Sequence, residues 1–146
     1  MTAPEQQLRS RLSIIPQDAF LFTGSVRENL DPLSLRTDAQ LNDALNLIHS
    51  NPSASHSLRE KFRLDASVSA DGSNFSAGEQ QLRKSSMHDV LTIVGLMRAI
   101  VRNCKVLLLD EATSSVDPET DALIQRIIQT EFSDVTVSQC LCIRAC

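Results

Sequence analysis

Residues 105–118 read KVLLLDEATSSVDP. Lys105 leads into four apolar residues, Val106 to Leu109, and the run closes on two adjacent carboxylates, Asp110 and Glu111. An apolar run this short, ending in acid, has the form of a buried parallel strand whose carboxyl end reaches a site. Ligands of open α/β sheets bind just beyond the carboxyl ends of their strands. Two neighbouring carboxylates there suit Mg²⁺-dependent phosphate chemistry. One holds the ion, directly or through water, and the other polarises an attacking water. The alternative is a core strand with an acidic cap, and the flanking sequence has to decide between them.

The totals narrow the classes. A chain of 146 residues makes at most one domain, long enough for a real core. Its net charge of −4 argues against a nucleic-acid surface. No apolar run approaches the roughly 18 residues of a spanning helix. The best candidate, Val90 to Val101, is interrupted by Arg98. The opening MTAPEQQLRSR lacks the apolar core of a signal peptide. Cys104, Cys140, Cys142 and Cys146 lack metal-ligand spacing, and a reducing cytosol is expected.

Upstream, Leu12 to Ile15 reads as a short strand stopped by Pro16, with Gln17 and Asp18 following. Ser25 and Glu28 make a capping box that opens a short helix ending near Asp31 and Pro32. Thr37 to His49 is amphipathic, with Leu41, Ala44, Leu45 and Ile48 on one face and Thr37 with Gln40 as a second box. Residues 51–57, NPSASHS, read as a loop, and Leu58 to Leu64 as one or two helical turns. His49 and His56 read as solvated or packed side chains. In NFSAGEQQ, residues 74–81, Ser76 and Glu79 form a third box; a Ser and a Gly at a helix start offer backbone N–H groups to an anion. Pro118 suits a first helical turn, and Leu123, Ile124, Ile127, Ile128 and Phe132 form an apolar face. Asp134 to Val137 reads as a further strand.

Three stretches in this order, RLSIIPQDAFLFTGSVRENLDP, NFSAGEQQ and KVLLLDEATSSVDP, resemble the Q-loop, signature and Walker B–D-loop segments of ATP-binding cassette (ABC) ATPases. The first is most similar to the second nucleotide-binding domain of C-subfamily exporters, the multidrug-resistance-protein type. The resemblance implies an α/β fold, a partial P-loop NTPase domain over residues 8–137 with a helical subdomain between Q-loop and signature. It implies ATP and Mg²⁺ as cofactors, with Asp110 and Gln17 on the metal and Glu111 as catalytic base beside Gln17. Ser76, Ala77, Gly78 and Glu79 occupy the signature, which holds the γ-phosphate of ATP bound on an opposing domain. Asp117 closes the D-loop formed by residues 114–117. Against the family's LSGGQ, Phe75 replaces Leu, Ala77 the first Gly and Glu79 the Gln.

The implied partners are a second nucleotide-binding domain and the transmembrane domains of the same transporter. The implied location is the cytoplasmic face of a membrane, through helices that this chain does not contain; this chain alone would be soluble. No G-x-x-x-x-G-K-[ST] Walker A stretch occurs, and the family's histidine after the last strand is replaced by the divergent tail of residues 138–146. Two alternatives are a chromosome-maintenance ATPase half of the SMC kind, which Glu79 would suit, and a catalytically inactive truncated product. The exporter-like Q-loop stretch, and the lack of a heptad run before the signature, argue against the SMC reading.

Residues 83–95, RKSSMHDVLTIVG, read as an insertion of about ten residues into one unbroken family helix, which would move Leu96 by about 15 Å if helical throughout. The expectation is a loop-out with breaks at Ser85, Ser86 or Gly95. The codons after Leu82 and at Val137–Ser138 can hold splice-donor sequences, so both divergent segments read as translated intron; the alternative for residues 83–95 is a natural insertion with its own packing role.

Overall fold

A computed structural model of the chain describes residues 11–16, 20–69, 86–110, 116 and 118–140. The elements are β1 (Leu12–Ile15), β2 (Gly24–Ser25), α1 (Val26–Leu30), α2 (Asp38–His49), α3 (His56–Lys61), β3 (Ser67–Val68), α4 (Ser86–Arg102), β4 (Val106–Asp110), α5 (Pro118–Glu131) and β5 (Thr136–Cys140). β1, β4 and β5 form a parallel sheet with β4 in the centre, while β2 and β3 pair antiparallel. The expected parallel strand is therefore present, in the centre of the sheet, and the α/β class with it.

Local chemistry sets most helix starts. Ser25 accepts from the Glu28 N–H and the Glu28 side chain accepts from the Ser25 N–H, so α1 opens on a complete capping box. Thr37 and Gln40 do the same for α2, which buries Leu41, Ala44, Leu45 and Ile48 as its periodicity requires. α3 starts earlier than expected, because Ser55 caps it by accepting from the Leu58 N–H. His49 is packed: its Nε2 lies 3.2 Å from the Arg59 carbonyl and 3.1 Å from that of Phe62, tying α2 to α3. β5 begins two residues late, because the Val135 N–H bonds back to the Phe132 carbonyl and turns the chain first.

The loop-out expectation for residues 86–95 needs correction. From Ser86 to Gly95 the chain is helix, continuous with the segment that follows, and neither Ser86 nor Gly95 breaks it. Val90, Ile93, Val94 and Met97 fall at i, i+3, i+4 and i+7 and are all buried. Their burial stabilises helix more than a loop could, since a loop would expose four large apolar side chains. Gly95 is a close-approach residue: a Cβ there would lie 3.0 Å from Ile15 Cγ2. α4 consequently packs against β1, α1, α2 and α5 at once and is the hub of the core.

One face of the parallel sheet is covered, with Ile15, Leu107 and Leu109 buried. The other carries Ile14, 55% exposed, beside half-buried Leu108 and exposed Ser138 in register.

Candidate functional site

β4 follows from four apolar residues flanked by a buried neighbour, Cys104, whose thiol pKa burial pushes up. The Lys105 N–H bonds to the Arg11 carbonyl and the Thr136 N–H to the Lys105 carbonyl, which locks the register of all three strands at their start. Counting along that register, Ile15 pairs with Leu109 and Asp110 with Cys140. Asp110 thus ends the central strand one residue beyond the last β1 pair. Ile15 and Asp110 therefore lie at the same carboxyl edge, where α/β sheets bind ligands. Gln17, Glu111, Ser76, Ala77, Gly78, Glu79 and Asp117 lie outside the described residues, as does the side chain of Asp110.

Residues 20–29, between β1 and the end of α1, are held by a network with no local signal in the sequence. Asn29, 1% exposed, accepts from the Phe22 N–H through Oδ1 at 2.8 Å and donates through Nδ2 to the carbonyls of Phe22 at 2.8 Å and Ser25 at 3.0 Å. Arg98 of α4 reaches across to the same loop. Its Nε donates to the Asn29 carbonyl at 2.7 Å, Nη1 to the Phe20 carbonyl at 3.1 Å and Nη2 to Asn29 Oδ1 at 3.3 Å. The guanidinium also lies 5.8 Å from the centroid of the Phe22 ring. Burial, with Arg102 nearby, pushes the Arg98 pKa down from its ordinary value. In the sequence Arg98 stands out only as one cation within an apolar helical run.

On the other side of β4, Pro118 opens α5, with Glu119 and Asp121 in its first turn, where negative charge suits the helix N-terminus. Leu123, Ile124 and Ile127 are buried as expected, Phe132 with them, and Ile128 is partly buried. Among the described residues no three His, Cys, Asp or Glu side chains cluster to hold a metal, and no helix is long and apolar enough to cross a membrane.

The family described as ABC transporter matches residues 1–114, from before β1 to beyond Asp110 and Glu111. The oligomycin resistance ATP-dependent permease of Saccharomyces cerevisiae is 45% identical over 150 residues, covering 93% of this chain and 9% of the permease. ABC transporter C family member 13 of Oryza sativa subsp. japonica is 47% identical over 131 residues, covering 89% of this chain and 8% of the relative. ABC transporter C family member 5 of Arabidopsis thaliana is 46% identical over 131 residues with the same coverage, 89% and 8%. The chain spans under a tenth of the length of these relatives.

Proposed function

The chain belongs to the ABC transporter family, as part of its ATP-binding domain, and on that premise we propose that it supplies the hydrolytic edge of a C-subfamily exporter. The observation that carries the proposal is the parallel register of β1 and β4. It sets Ile15 against Leu109, which supports the reading that the segments carrying Gln17 and Asp110 with Glu111 act at one sheet edge.

In this reading Asp110 and Gln17 hold Mg²⁺. The ion, when bound with ATP, neutralises charge on the phosphates. Glu111 accepts a proton from the attacking water, and the protein's contribution is positioning and electrostatics. Ser76 and Gly78, with Ala77 and Glu79, face nucleotide carried by a second nucleotide-binding domain, and Asp117 lies in the D-loop against that partner. The sheet face bearing Ile14 suits cover from further polypeptide of the same domain, because parallel sheets bury both faces. The complete transporter couples hydrolysis to solute export through transmembrane domains at a membrane.

The test is an exchange. This chain replaces the matched stretch of the yeast permease, and ATP hydrolysis by the purified chimera is measured. Hydrolysis above that of a chimera disabled in its P-loop lysine supports the proposal. No hydrolysis, with the parent permease active in parallel, contradicts it.

A further inference from the structure

We propose that the uncovered face of the parallel sheet and the outer edge of β5 form one docking surface for a strand–P-loop–helix segment supplied from outside these 146 residues, its helix lying over Ile14. The inference rests on the reading of the chain as part of an ATP-binding domain. In register, Leu12, Val106 and Thr136 make one row of that face, and Ile14, Leu108 and Ser138 the next. Ile14 is 55% exposed, Leu12, Val106 and Leu108 are half-buried, and Thr136 and Ser138 are exposed. Parallel sheets bury both faces, so this one calls for a cover. Among the described residues β5 also has no neighbour on its outer side, and its outward backbone groups are free to pair with an added strand.

Strand order selects the occupant. The chain steps across the sheet in one direction, from β1 to β4 and from β4 to β5. Right-handed connections that step the same way lie on the same face. Accordingly α4 lies on the covered face, where Gly95 meets Ile15, and α5 packs beside α4. A helix on the Ile14 face must belong to a connection running the opposite way, back toward β1, so its strand lies beyond β5. A P-loop unit has that order, strand, loop, then helix, and no G-x-x-x-x-G-K-[ST] occurs in residues 1–146. Its strand would end at the edge where Asp110 pairs with Cys140, and strand order would reverse there, as it does where α/β sheets bind ligands. A second copy of this chain is the poorer occupant. The two rows span about 10 Å by 13 Å, far below the roughly 800 Å² per partner of a stable pair.

The probe is a fluorescently labelled synthetic peptide with the P-loop strand, loop and helix of the yeast permease, titrated with the 146-residue chain. Saturable one-to-one binding is expected. Ile14→Asp should weaken it at least roughly tenfold, the cost of leaving that side chain's apolar burial unmade. Leu35→Asp, at a position 75% exposed and outside the sheet, should leave it unchanged. Amide exchange in β5 should slow at least roughly tenfold when the peptide is bound. No saturable binding, or equal binding by Ile14→Asp, would overturn the proposal. So would a chain that sediments as a dimer and remains one with peptide in excess, since a second copy would then hold the face. If Ile14→Asp does not fold, as judged by circular dichroism, Ser138→Arg on the same face takes its place with the same outcomes. Peptide binding beside a permease chimera that does not hydrolyse ATP would defeat the proposed function and leave the docking surface standing. An active chimera with no peptide binding would do the reverse.

Discussion

Ile93→Ala probes whether the stretch before Leu96 belongs to the core. Ile93 is 0% exposed on α4, within the segment that family comparison would eject as a loop. Truncating a fully buried isoleucine removes its transfer free energy and leaves a cavity, together about 2–5 kcal/mol. With neighbours at Val90, Val94, Leu96 and Met97 all 2% exposed or less, the site has little freedom to collapse, so about 3 kcal/mol is expected. That is a large fraction of a total near 5–15 kcal/mol. At roughly 2–4 °C per kcal/mol, Tm falls by about 6–12 °C. The assay is urea unfolding of the 146-residue chain followed by circular dichroism, read as a lower midpoint at constant slope. A solvated loop residue would cost within about 0.5 kcal/mol. A change that small would refute the placement of Ile93 in the core and, with it, the hub role of α4.

Three further outcomes follow from named contacts. Asn29→Ala strips three hydrogen bonds from the Phe22 and Ser25 backbone and leaves the partly buried Phe22 N–H without its acceptor; about 2–4 kcal/mol should be lost in the same urea assay, and a loss under about 1 kcal/mol would contradict it. The Ser25 N–H and hydroxyl hold the Glu28 carboxyl below its usual pKa, so the stability this adds is present above the ordinary carboxylate value and lost as pH falls through the lowered one. Glu28→Gln should flatten that acid slope, and an unchanged pH profile would count against the capping box. The chain by itself, having no G-x-x-x-x-G-K-[ST] stretch, should show no micromolar binding in a titration with labelled ATP; saturable binding in that range would mean the nucleotide site is elsewhere.

What could be read from sequence was local. Ser25 with Glu28 and Thr37 with Gln40 announce their own hydrogen bonds, and α1 and α2 start where those boxes put them. Val106 to Leu109 can hardly be other than a buried strand, and it is the central one. The helix from Ser86 was also legible, in the spacing of Val90, Ile93, Val94 and Met97, but a length argument drawn from family pattern overrode that periodicity. Ser55 was hidden inside a polar run whose composition resembles a loop until its hydroxyl is seen capping α3. The Arg98–Asn29 network was not legible at all. Its partners are 69 and 78 residues apart, and nothing local in LMRAIV says which carbonyls the guanidinium will find. The chemistry of Asp110, Glu111 and Gln17 came from motif, and the fold adds the register that sets Ile15 against Leu109, next to Asp110.

The central claim is that Asp110 and Glu111 carry out hydrolysis, and Glu111→Gln in the permease chimera tests it most directly. Steady-state ATP hydrolysis should fall roughly 10²–10⁴-fold, the usual contribution of a positioned general base, while labelled ATP stays bound in the presence of Mg²⁺. Hydrolysis by the variant at a rate close to that of the unsubstituted chimera would contradict the account.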